Sequence, residues 1–156
     1  MKIKSFFTAV LFLFTLSSSL SAGPILVSDS YARSTGPLAK AGAAYMKIMN
    51  HSKKDDRLIS VYSDIAKKTE LHTHLKSDNG VMKMMHIDKG IEIGAMKEHA
   101  LVRGGEHIMF MGLKEPFENG KIIPVTLLFE KAGEVNIEVV VDQKRKEKKH
   151  SQSHTH

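Results

Sequence analysis

The chain has 156 residues, no cysteine and no tryptophan, and its 23 Lys and Arg against 17 Asp and Glu give a formal net charge of +6. The absence of cysteine excludes a disulfide scaffold and a thiolate metal centre, and offers no cysteine for lipid attachment. The charge excess sits at the ends, with Lys2 and Lys4 at one and Lys144, Arg145, Lys146, Lys148 and Lys149 against Asp142 and Glu147 at the other; the near-neutral body lacks the basic, aromatic-bearing face that nucleic-acid binding requires.

Lys2 and Lys4, an apolar run over residues 6–16 and small residues up to Ala22 form the three-part layout of a secretory signal peptide, expected over 1–22 with cleavage after Ser21 or Ala22. The apolar run falls short of the roughly 20 residues of a membrane span, so export without a membrane anchor is expected. The remainder suffices for one domain, expected over 23–142, which can bury enough surface to need no covalent staple. Residues 143–156 contain no apolar side chain and predict a disordered basic tail.

Within the domain, short runs rich in β-branched, aromatic and alternating residues predict strands over 25–32, 43–49, 58–62, 68–75, 81–87, 100–102, 107–113, 122–129 and 135–141. Turn signals separate them, among them Ser77-Asp78-Asn79-Gly80, Arg103-Gly104-Gly105, Glu118-Asn119-Gly120 and Lys131-Ala132-Gly133. Strands spaced about ten residues apart, with no long segment of helical period, predict an all-β antiparallel sandwich or barrel.

Eight methionines follow the initiator, and six of them (Met82, Met84, Met85, Met96, Met109, Met111) share one thirty-residue stretch with His86, His99 and His107. Thioether sulfur is a soft, uncharged donor suited to Cu(I), and imidazole suits copper in either oxidation state, so this cluster points to copper. In a strand, His107, Met109 and Met111 share a face opposite Ile108 and Phe110, and His72 and His74 share a face opposite Thr73. Met82, Met84 and His86 have one parity and Met85 the other, so Met84 and Met85 serve one site only across a bulge. Against this stands the plain alternative that Met109 and Met111 are core and His107 lies at the rim, since methionine fills irregular gaps. His51 in a polar turn and His99 between strands are not assigned a role, and His86 is an outlying candidate.

The joint order is more specific than its parts. Glu70-Leu71-His72, Val81-Met82-Lys83-Met84, Gly104-Gly105 and His107-Ile108-Met109, together with Ala44-Tyr45-Met46 and Phe129-Glu130-Lys131-Ala132-Gly133-Glu134, resemble the periplasmic copper chaperones called PCu(A)C, also known as the DUF461 family. The resemblance spans most of the domain. It implies a cupredoxin-like Greek-key fold, a periplasmic location, a Cu(I) cargo, and delivery to the CuA centre of cytochrome c oxidase subunit II, with a Sco-type thiol protein as a further partner.

Matched to the family motif, the ligands are His72, Met84, His107 and Met109. The intervals His72 to Met84 and Met84 to His107 are each one residue longer than the family pattern, which insertions near Ser77-Asp78-Asn79 and at Lys89 explain. The alternative register uses His74 and Met85. His150, His154 and His156 form a second group in the tail, either merely solvated or a Cu(II)-capturing extension. A blue-copper carrier is disfavoured by the missing cysteine. A zinc hydrolase is disfavoured because there is no His-Glu-x-x-His and the candidate site has no carboxylate poised as a general base. A β-sandwich interaction module, or a copper buffer without a dedicated oxidase target, remains the alternative.

Overall fold

The structure is a computed structural model that describes residues 23–36, 38–76 and 80–146. Among these residues ten strands follow one another: β1 (Ile25–Ser34), β2 (Ala41–Asn50), β3 (Asp56–Tyr62), β4 (Ala66–Lys76), β5 (Met82–His86), β6 (Ile91–Ile93), β7 (Glu98–Leu101), β8 (His107–Leu113), β9 (Ile122–Phe129) and β10 (Gly133–Val141). No helix is assigned among the described residues. The fold is the expected all-β, cupredoxin-like single domain.

The strands hydrogen-bond in the order β5-β4-β8-β2-β1-β10-β9-β3-β6, with β7 also on β2. Every pairing is antiparallel except β1 with β10, which is parallel (Tyr31 opposite Val140, Ala32 opposite Val141) and joins the two halves. A period-two pattern does not report strand direction, so this departure from an antiparallel arrangement had no sequence signal. Along β2 burial alternates strictly: Gly42, Ala44, Met46, Ile48 and Asn50 face inward, and Ala43, Tyr45 and Lys47 outward. Ala44, Met46 and Ile48 join Ile108 and Phe110 of β8, Leu58 of β3, Ile123, Val125 and Leu127 of β9, and Val139 of β10 in a single hydrophobic core. Each of the larger apolar side chains contributes about 1.5–3 kcal/mol on burial.

The other difference is β6, whose three residues Ile91-Glu92-Ile93 between two glycines are too short to read as a strand from sequence. It pairs with β3, and Ile91 and Ile93 are both buried. Along one edge of β2, β8 pairs with Ala41 to Ala44 and β7 with Met46 to Met49. The turn between them is closed by Val102 N–H donating to Glu106 O at 2.8 Å, so His107 enters the sheet at a fixed point. The expected tail does not start free at Gln143: its side chain donates to Ser34 Oγ and Phe117 O and accepts from Ser34 N–H. Residues 147–156, with His150, His154 and His156, lie outside the described residues, as do 1–22.

Candidate metal centre

Three adjacent strands, β5, β4 and β8, put their donor residues on one outward face. Across β4 and β5, His72 stands opposite His86 and His74 opposite Met84; across β4 and β8, His72 stands opposite His107 and Glu70 opposite Met109. Directly opposed residues point to the same side of a sheet, so Glu70, His72, His74, Met84, His86, His107 and Met109 share that face. Met85 is opposite Thr73 and belongs to the other side. The separated segments are thus brought together by strand register.

The plain alternative for β8 is reversed in the fold. Met109 and Met111 are only half-buried on the outer face, whereas His107 is 1% exposed. A cleft of about 590 Å³ is bordered by His74, Met84, His107 and Met109, with Arg33 and Arg103 also lining it. No carboxylate is among its described lining residues. His107 and His74 stack with centroids 5.1 Å apart, while His72 and His107 are 6.1 Å apart. His107 Nδ1 lies 2.9 Å from Gly105 O. A carbonyl only accepts, so Nδ1 carries the proton and Nε2 keeps its lone pair for a ligand. Burial holds the His107 pKa below its ordinary value; the Gly105 carbonyl opposes that shift, and His74 and His72 add to it.

Two further imidazole nitrogens, Nδ1 of His72 and Nδ1 of His74, are buried without a hydrogen-bond partner. Unpaired buried polar atoms cost free energy, and a soft cation in the cleft is a partner that would satisfy the nitrogen of His74, which borders it. A donor set of thioethers and imidazoles fits Cu(I) in particular.

His72 does not border the cleft; its Nε2 is 2.9 Å from Glu70 Oε2. This carboxylate stands beside the cleft, against one of the candidate donors. Glu70 Oε1 also pairs with Lys68 at 2.5 Å, and its pKa is lowered, chiefly by the His72 hydrogen bond and then by Lys68. His86 completes a group in which one ligand atom from each of Glu70, His72 and His86 lies within 4.8 Å of the others. The period-two alternation Glu70-x-His72-x-His74 held the signal for Glu70, but the cross-strand placement of His86 depends on a register that the sequence does not show.

The family model described as "Putative lipoprotein LpqE-like" matches residues 25–141. The chain belongs to this family. A curated relative, "Putative lipoprotein Lxx21020" of Leifsonia xyli subsp. xyli (strain CTCB07), is 32% identical over 108 residues, covering 69% of this chain and 63% of that protein. The chain therefore spans under two thirds of that relative's length. Among solved structures, this LpqE-like chain is similar to a copper-bound PCuAC domain from PmoF2, with a TM-score of 0.63 at 24% identity over 78% of this chain and 94% of that one. It is also similar to the Cu(I) form of DR1885 from Deinococcus radiodurans, with a TM-score of 0.62 at 25% identity over 81% of this chain and 84% of that one. The PCu(A)C resemblance in the sequence thus has its counterpart in the fold.

Proposed function

We propose that this protein is an exported copper carrier that holds Cu(I) in the cleft through Met84, Met109, His107 and His74 and passes it to an acceptor. The observation that carries this is the meeting of two thioethers and two imidazoles, drawn from three strands, around one cleft with no thiolate and no carboxylate among its described lining residues. Such a set has no net charge, so the bound ion stays a monocation and the desolvation cost stays low. The copper-bound PmoF2 domain and the Cu(I) form of DR1885 support the same cargo.

Ring separation favours His74 as the β4 donor, where the resemblance implies His72. A metal–nitrogen bond of about 2 Å puts a ring centroid about 3 Å from the ion, so two rings at a tetrahedral angle lie about 5 Å apart. The His74–His107 separation of 5.1 Å fits this, and the 6.1 Å between His72 and His107 fits only a nearly linear pair. Met84 lies on the edge strand β5 and is 45% exposed, so an acceptor's own donors can reach the ion and displace this ligand first. That suits a carrier rather than an enzyme. The acceptor in this reading is the CuA centre of cytochrome c oxidase subunit II, with a Sco-type protein acting beside it, in the periplasm.

Competition for Cu(I) under anaerobic conditions tests the site. Met84→Leu, Met109→Leu and His107→Ala should each weaken binding at least about tenfold, since each removes one of four donors, and His74→Ala should weaken it more than His72→Ala. Unchanged binding in Met109→Leu and His107→Ala means a β-sandwich interaction module instead. Transfer to an isolated CuA domain tests the acceptor; retention of Cu(I) in its presence means a copper buffer without that target.

A further inference from the structure

Beside the thioether cleft the same sheet face carries a second donor group of different character. Glu70, His72 and His86 supply one carboxylate oxygen and two imidazoles, and none of them lines the cleft. We propose that these three side chains form a separate site for a borderline divalent cation, Zn(II) or Cu(II), adjoining the Cu(I) cleft.

Geometry comes first. With bonds of about 2 Å, two ligands of a tetrahedral ion lie about 3.3 Å apart. Glu70 Oε2 is 2.9 Å from His72 Nε2 and 3.7 Å from His86 Nδ1, on either side of that value. These two edges therefore need shifts of only a few tenths of an ångström, and one ring nitrogen of His72 lies within 4.8 Å of one of His86. The backbone is already set: His72 and His86 are a directly opposed pair on β4 and β5, with rings 5.8 Å apart.

Chemistry separates the two sites. A carboxylate with two imidazoles is a harder set than two thioethers with two imidazoles, and it lowers the charge of a dication by one. The cleft places Arg33 and Arg103 around its donors and has no described acid, which disfavours a dication there and leaves the Glu70 side as its place. A second carboxylate stands within reach, since Asp88 Oδ1 is 3.3 Å from His86 Nε2. It can hold that ring by its other nitrogen, as carboxylates do for metal-bound histidines. An ion at Nδ1 of His86 displaces the present contact of that atom with Leu71 O at 3.1 Å, so the imidazole proton moves to Nε2, beside Asp88.

The test uses the full chain with His150, His154 and His156 changed to alanine, loaded with one equivalent of Cu(I) under anaerobic conditions and titrated calorimetrically with Zn2+, which the reductant does not affect. One further equivalent of Zn2+ should bind. His86→Ala and Glu70→Gln should each weaken that Zn2+ at least about 100-fold while leaving Cu(I) affinity within about twofold. No bound Zn2+, or Zn2+ binding unchanged in both variants, overturns the site. A Glu70→Gln variant that loses Cu(I) affinity and keeps Zn2+ also overturns it, because Glu70 is then an orienting partner of a Cu(I) ligand. If the parent protein fails to take up Cu(I) yet binds Zn2+ through His86 and Glu70, the copper-carrier function fails and the divalent site stands.

Discussion

His107 combines nearly complete burial with one ring nitrogen fixed by a backbone carbonyl. Its lowered pKa has a consequence for the metal-free protein. An unfolded chain protonates this histidine near pH 6.5, whereas the folded chain does so only at lower pH, so the unfolded state binds more protons in between. Stability contributed at neutral pH should then be lost as the pH falls below about 6.5, levelling off once the folded His107 also protonates. Calorimetric unfolding of the metal-free protein from pH 7.5 to 5 should show the midpoint falling, and His107→Gln should make that fall shallower. Asp56 presents a different residue-scale case. Its buried carboxylate accepts from the N–H groups of Arg57 at 2.7 Å and of Lys131 and Ala132 at 2.9 Å, tying β3 to the β9–β10 turn. Asp56→Ala leaves these donors without their acceptor and should cost about 2–3 kcal/mol, read by urea unfolding, with Cu(I) affinity unchanged because the residue lies far from the β4–β5–β8 face in strand order. The candidate donors Met84, His107 and Met109 could be picked out in the sequence because thioether and imidazole chemistry is carried by residue type. Glu70 carried a period-two signal and His86 stood as an outlying candidate, but their grouping with His72 depends on a cross-strand register that the sequence does not show.

At the scale of elements, parity and register divide what could be read from what could not. The alternation in β8 announced both its span, His107–Leu113, and its two faces, and the structure keeps them. The parity of β5 put Met84 with His86 and against Met85, and the pairing with β4 agrees. What no single strand shows is which residue stands across from which, and this decides whether His72 or His74 meets Met84. Close packing between elements has its own demand at Gly42 of β2. A Cβ there would lie 2.4 Å from Cε2 of Phe117, a buried ring that packs against Phe110 with centroids 5.6 Å apart. Gly42→Ala should therefore force the Phe117 ring aside and cost about 1–3 kcal/mol, the usual range for overpacking a full core. Since Gly42 lies next to Ala43, the partner of Met109, the same substitution should also weaken Cu(I) binding. Equilibrium unfolding and Cu(I) competition on one sample check both effects.

For the molecule as a whole, closure depends on the last described residues. Among the described residues the parallel β1–β10 pair is the one strand pairing that joins the two halves of the sheet, and the residues after Val141 extend it: Asp142 N–H donates to Ala32 O at 2.9 Å, and Gln143 bridges Ser34 and Phe117. Arg145 pairs with Asp29, at the bulge of β1, and its guanidinium lies 4.6 Å from the centre of the Tyr31 ring. Tyr31 packs on Tyr45 at 5.1 Å, and Tyr45 lies 6.1 Å from the ring of His107. The segment that composition alone marks as solvated tail is thus, over its first residues, a strap laid across the seam and linked through two aromatic rings to His107 of the candidate site. Composition missed it because Gln and Arg act here through hydrogen bonds and ring contact rather than through apolar burial. Two truncations separate strap from tail. Ending the chain after Lys146 keeps every one of these contacts and should leave the unfolding midpoint within about 1 °C, because nothing described in the seam changes. Ending it after Val141 removes the contacts of Asp142, Gln143 and Arg145, at roughly 0.5–1.5 kcal/mol per hydrogen bond, and should lower the midpoint by about 5 °C or more. If the strap also steadies Tyr45 against His107, the shorter chain should release Cu(I) faster than the longer one, and equal release rates would confine its role to holding the two halves of the sheet together.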